Sequence, residues 1–291
     1  MLWLCLHFPR LPLSALGADH ENLAVVDQRG SQRWLITDAP ASSAGTLLSK
    51  ALSLDASLRV QVRKPAAEQA ALQSLAYWAY RFGQPVTAAI QNLAEPGCIP
   101  RALLWVEIGS SLELFGGLEA LRDEIFGELL ELGHVAQAAM APTREAAALL
   151  AYAGQSDPVL ASQDLRTRID DLPITLLHWP GEVLSALSGV GFRRMAELFA
   201  VPRDAFTKRF GARYRLALDQ MLGLASEPFE AIVPPETFRR RFELSAEIED
   251  VERLQFPLKR LCSELQAYLR TRDRGLRSVT LAVLHANARE T

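Results

Sequence analysis

The chain has 291 residues, of which 49% are hydrophobic and 22% are charged, and its formal net charge is −3. This composition provides apolar side chains for two or three packed domains and excludes a disordered chain. The apolar stretch 1–8 is too short to span a bilayer, and its positive charge, Arg10, follows it, which excludes a transmembrane segment and a signal peptide there. We therefore expect a cytoplasmic protein without membrane contact.

Strands alternate with helices over roughly the first 155 residues of the predicted structure. The predicted strands are 1–8, 23–26, 34–37, 58–62, 102–108 and 135–140, with a further strand end at 112–115. The predicted helices are 42–52, 65–82, 118–132 and 143–153. Pro65 and Thr143 stand where helices typically start. This order predicts an α+β or α/β fold with one helix-covered sheet.

The pattern changes at residue 172 to short helices separated by small loops. The predicted helices are 181–187, 192–199, 202–210 and 212–222. Residues 224–236 contain three prolines and predict an extended linker. Strand 238–248, helix 251–272 and strand 276–284 then start another α/β unit. Because the sequence stops at Thr291 before that unit can close its sheet, we expect a fragment of a longer protein.

Three cysteines lie far apart in the sequence, at Cys5, Cys98 and Cys262. Their spacing fits neither a disulfide framework nor a CxxC metal site. We expect them to be buried free thiols.

Positive charge is concentrated in the second half of the chain. Residues 1–170 contain 13 Lys and Arg against 18 Asp and Glu, whereas residues 171–291 contain 18 against 16. Between 193 and 215 only Glu197 and Asp204 oppose seven cations, which are Arg193, Arg194, Arg203, Lys208, Arg209, Arg213 and Arg215. Such a surface suits a nucleic-acid backbone, although charge alone fits a solvated helical face equally well.

A glycine hairpin precedes this basic run. The sequence Leu187-Ser-Gly189-Val-Gly191-Phe, followed by Arg193 and Arg194, is typical of a helix-hairpin-helix, which presents backbone N–H groups and cations to a DNA phosphate. An ordinary helix–helix turn with a glycine cap is the alternative. Lys208 and Arg209 downstream favour DNA, bound without sequence preference and with strong salt dependence.

Carboxylates are missing where a polymerase would need them. Polymerases hold two divalent metals between acids on adjacent strands. Residues 1–8 contain no acid, and Glu107 is the only one in 102–108. The five histidines have no metal-binding spacing, and neither a phosphate-binding GxxxxGK[ST] loop nor a GxSxG elbow is present. We therefore expect no metal site and no cofactor.

Several segments, in order and spacing, carry a family resemblance. They are Met1–Phe8, Leu23-Ala-Val-Val-Asp27, Leu104–Ser111, Leu114-Phe-Gly-Gly117, Met140-Ala-Pro-Thr143, Leu172-Pro173, Pro202-Arg203, Arg209-Phe-Gly211 and Glu227-Pro228. On these, nearly the whole chain resembles the Y family of DNA polymerases, and within it a branch without catalytic acids. The resemblance implies a palm (1–13 and 82–171), a fingers-like insertion (14–81), a helix-hairpin-helix thumb (172–223), a linker (224–237) and a partial little finger (238–291).

The departures from the family pattern concern its catalytic acids. Active members read Asp-x-Asp-x-Phe on the first strand, and both aspartates match leucines here, Leu4 and Leu6. The second acid pair falls on Ala102 and Leu103, or in another register on Ile108 and Gly109. The triphosphate-binding Tyr and Arg of the fingers match the segment 38–45, where Ala39 and Ser42 cannot make those contacts. The resemblance thus implies an inactive polymerase homologue rather than an enzyme.

The leading hypothesis is a non-catalytic scaffold in damage-induced mutagenesis and translesion synthesis that binds a primer–template. The expected DNA contacts are Gly189, Gly191, Arg193, Arg194, Lys208 and Arg209, with Arg239, Arg240 and Arg241 as a second basic strip. A charged, solvated edge strand is the alternative for that strip. The resemblance implies a RecA-like accessory protein and an error-prone C-family polymerase as partners, and a sliding clamp bound through segments beyond this chain.

Two other functions stay open on the sequence. One is an active metal-dependent lesion-bypass polymerase that recruits displaced acids such as Glu107 and Glu113. The other is a protein-binding platform without DNA affinity.

Overall fold

A computed structural model describes residues 1–17, 22–93, 98–234, 237–241, 254–271 and 275–282. The strands are β1 (Trp3–His7), β2 (Leu23–Arg29), β3 (Gln32–Leu35), β4 (Arg59–Val62), β5 (Val86–Gln91), β6 (Arg101–Glu107) and β7 (Gln137–Ala141). The helices are α1 (Leu11–Ser14), α2 (Leu48–Leu54), α3 (Pro65–Ala79), α4 (Leu118–Glu131), α5 (Arg144–Tyr152), α6 (Leu165–Ile169), α7 (Gly181–Gly189), α8 (Met195–Ala200), α9 (Arg203–Phe210), α10 (Ala212–Met221) and α11 (Gln255–Thr271). The α+β prediction is confirmed.

The central sheet has the strand order β5-β6-β1-β7 with antiparallel neighbours. Every residue of β1 is buried, because the strand has neighbours on both sides and helices on both faces. Its nearly continuous apolar sequence is what such a position requires. The predicted strand at 1–8 is therefore confirmed.

The two faces of the sheet have separate cores. Leu4, Leu6 and Leu104 pack with α3 and α4 on one face. Trp3 and Cys5 point to the other face, where α5 and the helices α7–α10 share one core with the sheet. We call α7–α10, with the segment 172–180 before them, the helical module. Because it shares a core with the sheet, its position relative to the sheet is defined by packing.

A smaller sheet, in the order β3-β2-β4, lies within residues 22–62. The predicted strands 23–26 and 34–37 are confirmed as β2 and β3, which form a hairpin with Gly30 at its turn in the left-handed region at φ +61°. The predicted helix at 42–52 begins later, at Leu48. The segment before it turns instead, because Asp38 accepts a hydrogen bond from the Ala44 N–H at 2.9 Å.

Two predicted strand segments were wrong, and one observed strand was not predicted. Residues 112–115 form turns rather than a strand end, because their backbone groups bond locally, as Phe115 N–H does to the Ser111 carbonyl. Strand β5 was missed because its Ala-rich sequence has no apolar alternation. The described part of predicted strand 276–284, residues 276–282, is irregular and has no ladder partner among the described residues.

Predicted strand 238–248 lies mostly outside the described residues, and its described part, 238–241, is irregular. The helix predicted at 251–272 is described as α11. Cys5 is buried as expected, and burial raises the pKa of its thiol, whereas Cys98 is half-buried and Cys262 is exposed. No helix in the described ranges is long and apolar enough to cross a membrane.

The segment that follows α10 packs back onto the sheet. Arg144 pairs with Glu227 at 2.6 Å, and its guanidinium lies 4.7 Å from the ring of Phe229. The Phe229 ring meets Trp3 edge to face at 5.3 Å, and Ile232 N–H donates to the Val86 carbonyl on the edge strand β5. The predicted linker is therefore held against the sheet up to Ile232.

Glu145 beside this junction makes stability depend on pH. Burial, together with the charge of Glu227, raises the pKa of Glu145 to about 7, although Arg144 opposes the shift. A carboxyl group with a raised folded-state pKa stabilises the fold below its unfolded pKa, and this contribution disappears as pH rises through the folded pKa.

We therefore expect Glu145→Gln to match the wild type near pH 4 and to be more stable at pH 8, by about 1–2 kcal/mol. Urea denaturation of both proteins at the two pH values measures the difference. An equal stability difference at both pH values would contradict the role of Glu145.

Candidate nucleic-acid interface

The glycine hairpin joins α7 to α8 on the surface of the helical module. Helix α7 ends at Gly189, and Gly191 adopts φ +101°, a conformation that residues with a Cβ rarely adopt. Gly189, Gly191, Arg193 and Arg194 are all exposed. The local sequence thus places two arginines directly after a tight exposed turn.

The backbone N–H groups of this hairpin are already used within the chain. Gly191 N–H donates to the Ser188 carbonyl at 3.0 Å, and Phe192 N–H donates to the Leu187 carbonyl at 3.2 Å. The N–H groups of Arg193 and Arg194 donate to the Glu197 carboxylate, and these bonds lower its pKa. In this conformation the guanidinium groups, rather than the backbone amides expected from the sequence, are what a phosphate would meet.

Both guanidinium groups are accessible. Arg193 Nη1 donates to the carbonyls of Ser188 and Phe192, at 2.5 and 2.9 Å. Arg194 pairs with Asp171 at 2.6 Å, and the two side chains are 61% and 85% exposed. An exposed pair of this kind contributes little to stability and is screened by salt. A phosphate group can therefore compete for Arg194 at small cost.

Packed aromatic rings bring the end of α9 beside the hairpin. Phe192 lies 6.3 Å from Phe210, which in turn lies 5.0 Å from Phe206. Lys208 and Arg209 occupy the last turn of α9, are exposed, and form no ion pair with another described residue. Arg193, Arg194, Lys208 and Arg209 thus lie on neighbouring elements, and we call them the basic surface.

Two of the seven cations counted in the sequence are neutralised. The buried carboxylate of Asp219 binds Arg203 and Arg215, the latter at 2.8 Å. Burial opposes ionisation of Asp219, but these two hydrogen-bonded arginines lower its pKa overall. The count between 193 and 215 missed Asp219 because it lies outside that window. The i,i+4 spacing of Arg215 and Asp219 was the available signal.

The three arginines of the second predicted strip, residues 239–241, lie in different environments. Arg239 and Arg241 are exposed, whereas Arg240 pairs with Glu264 of α11 at 3.0 Å and lies 5.3 Å from the ring of Tyr77 on α3. Because α3 and the helical module cover opposite faces of the sheet, the structure does not bring this strip together with the basic surface.

Most of the positions matched to the family's acid residues lie inside the protein. Leu4, Leu6 and Ala102 pack beneath α3 and α4, whereas Leu103 faces the core of the helical module. In the alternative register Ile108 is buried as well, whereas Gly109 is exposed. In the fingers-like segment, Ala39 and Ser42 face each other across a tight turn and exchange backbone hydrogen bonds.

Glu107 and Glu113, the candidate displaced acids, lie in different environments. The Glu107 carboxylate is buried and accepts hydrogen bonds from the N–H groups of Leu2 at 2.9 Å and Gly109 at 3.1 Å. Glu113 is exposed. Across the described ranges, no three His, Cys, Asp or Glu side chains could together hold a metal ion.

Sequence reasoning missed a polar row at the end of the sheet opposite Glu107. Arg101, His7 and Gln137 belong to β6, β1 and β7, and Tyr152 ends α5. His7 lies 3.0 Å from the Gln137 amide oxygen, and its ring is 5.2 Å from that of Tyr152. Burial lowers the pKa of His7. Only strand pairing brings these residues together, so no local sequence motif indicates them.

Sequence comparison finds relatives, although no family model matches the chain. Protein ImuB of Caulobacter vibrioides is 31% identical over 227 residues in each of two strains, which covers 77% of this chain and 47% of the relative. The chain therefore spans about half the length of the curated relatives it matches.

Solved structures show the same fold. DinB from Sulfolobus solfataricus has a TM-score of 0.59 at 16% identity, covering 79% of this chain and 70% of that one. The insertion ternary complex of Dbh DNA polymerase gives 0.60 at 15% identity with the same coverage. A Y-family chimera of Dbh and Dpo4 also gives 0.60, at 15% identity, covering 80% and 71%. The chain is therefore an ImuB-like protein with the fold of the Y-family DNA polymerases.

Proposed function

We propose that this protein is a non-catalytic, polymerase-like scaffold that holds a primer–template during damage-induced mutagenesis and translesion synthesis. The observation that carries the proposal is the end of the central sheet beside His7. A guanidinium, an imidazole, an amide and a phenol lie there, and no carboxylate of the described residues accompanies them. Two-metal phosphoryl transfer needs converging carboxylates.

The displaced acids give little support to the active-enzyme alternative. Glu107 is engaged by two backbone N–H groups, and its exposed neighbour Glu113 lies in the turn after β6. One buried and bonded carboxylate cannot hold two divalent cations, which need several oxygen ligands each. This favours a fold retained for binding rather than for chemistry.

The basic surface supports DNA as the ligand. Arg193, Arg194, Lys208 and Arg209 are exposed on adjacent elements, and contacts of this kind address phosphates without reading sequence. Gly189 and Gly191 would contribute by keeping the turn tight enough for both arginines to project. Arg239 and Arg241 remain a second, separate candidate strip.

The partners belong to the same proposal. Likeness to ImuB favours a RecA-like accessory protein and an error-prone C-family polymerase as partners, and a sliding clamp bound through segments outside this chain. A role on chromosomal DNA would place the protein in the cytoplasm.

Primer extension and DNA binding on the same substrate test the proposal. We expect no extension with Mg²⁺ or Mn²⁺ and all four nucleotides, while an active Y-family polymerase extends the same primer. Fluorescence anisotropy at two salt concentrations should show binding that weakens steeply with salt. Extension above background would overturn the non-catalytic proposal, and binding absent at low salt would favour the protein-binding platform.

A further inference from the structure

Arg101 is a buried cation that has no anionic partner among the described residues. It begins β6, is 8% exposed, and forms no ion pair with any described residue. Its guanidinium lies 3.4 Å from the centre of the Tyr152 ring. Burying an unpaired charge is costly unless its N–H groups and its flat face find partners. The partners of Arg101 therefore indicate what it does.

The second partner of Arg101 lies in the helical module. Its Nη1 donates a 2.8 Å hydrogen bond to the Leu176 carbonyl, in the turn Ile174–Leu176 that precedes α7. Arg101 stands at the start of β6 and contacts Tyr152 at the end of α5. Its guanidinium thus joins both elements to the start of the helical module. A strong, charge-assisted bond at this point resists movement of the turn relative to the sheet.

The same turn is hydrogen-bonded directly to the segment Arg193–Arg194 of the glycine hairpin. Ile174 N–H donates to the Arg193 carbonyl at 3.0 Å, and Met195 N–H donates to the Leu172 carbonyl at 2.9 Å. Pro173 and Arg194 form an isolated bridge between the two segments. The Arg193 carbonyl is therefore linked to Arg101 through the turn by two hydrogen bonds, and Arg194 lies between the two bonded residues Arg193 and Met195.

We propose that Arg101, stacked on Tyr152, is a positioning residue that fixes the glycine hairpin, with Arg193 and Arg194, relative to the central sheet. It lies next to Ala102 and Leu103, which match the second acid pair of the family in one of the two registers. Its guanidinium joins the central sheet to the helical module through Tyr152 and Leu176. For its effect on DNA affinity, the inference rests on the proposed DNA-holding function.

Loss of this contact should leave the hairpin chemically intact but less well oriented. Binding of DNA would then have to order the hairpin, which is already ordered in the wild type, and this cost weakens affinity. We expect Arg101→Ala to raise the Kd for a primer–template by about 10-fold. Because Arg101 is buried, we expect it to make no phosphate contact. The salt dependence of log Kd should therefore keep its wild-type slope in Arg101→Ala, whereas Arg193→Ala should reduce it by about one.

Hydrogen exchange measures the positioning itself. In Arg101→Ala we expect amide exchange in peptides covering 172–178 and 190–195 to accelerate by about 10-fold or more, while peptides of α4 stay unchanged. Arg101→Lys keeps the charge and one donor but not the stacked planar group, so intermediate exchange and affinity are expected. Tyr152→Phe keeps the ring and should stay near the wild type, whereas Tyr152→Leu should resemble Arg101→Ala.

Three results would overturn the inference in folded variants: unchanged exchange in both peptides, unchanged affinity with faster exchange, or a salt slope reduced by about one in Arg101→Ala. Should Arg101→Ala fail to fold, Tyr152→Leu decides with the same readouts. Should the wild type itself not bind the primer–template, the proposed function fails, while the exchange data still decide whether Arg101 positions the hairpin.

Discussion

Replacing both Arg193 and Arg194 by Glu is expected to weaken primer–template binding by roughly 100-fold near 0.1 M salt, and more at lower salt. Both side chains are exposed on the hairpin. Reversing their charges removes two attractions to the phosphates and adds two repulsions. The hairpin backbone should persist, since its bonds run between main-chain groups and to Glu197. Fluorescence anisotropy across a salt series measures the effect.

A matched variant separates local contact from net charge. Lys50→Glu with Lys259→Glu changes the net charge equally, at exposed positions of α2 and α11 rather than of the helical module. We expect this control to lose only a few-fold in affinity, through long-range electrostatics. Equal losses in both double variants would mean that binding follows net charge and that the hairpin is not the contact.

Restoring an aspartate at Leu6 is expected to destabilise the protein by more than about 4 kcal/mol instead of creating activity. Leu6 is 1% exposed, in the core between the sheet and α3 and α4. The residues of this core cluster are hydrophobic, so an ionised carboxylate would be desolvated without compensation. Urea denaturation and primer extension with Mn²⁺ measure the two consequences.

Leu130→Asp is the control for this substitution. The chemical change is the same, but Leu130 is 75% exposed on α4, so a change within about 0.5 kcal/mol is expected. A Leu6→Asp protein that keeps wild-type stability and gains metal-dependent extension would show that this position opens to solvent, contrary to the closed core.

The pattern of apolar residues alone determined much of the fold. Residues 1–8 predict the buried strand β1 because only a central strand needs apolar side chains on both faces. Pro65 and Thr143 marked helix starts correctly, since a proline ring and a hydroxyl cap suit the unpaired N–H groups of a first turn. The turn at Gly191 followed from the same local chemistry.

Long-range pairing decided what local patterns could not. Strand β5 shows no alternation, yet it pairs with β6 along its whole length. The strip 239–241 looked uniform in the sequence, but α3 and α11 draw Arg240 away from solvent. Asp219 likewise neutralises Arg203 from outside the segment whose charges were counted.

The same division holds for the candidate site. The sequence by itself determined that the first strand lacks acids and that the cations around the hairpin outnumber the acids, because both follow from residue identity. The tertiary structure decided that Arg101 meets Tyr152 and Leu176, residues 51 and 75 positions away, and that Glu107 holds backbone amides. Such contacts depend on strand register and helix packing, which join residues that no sequence window contains.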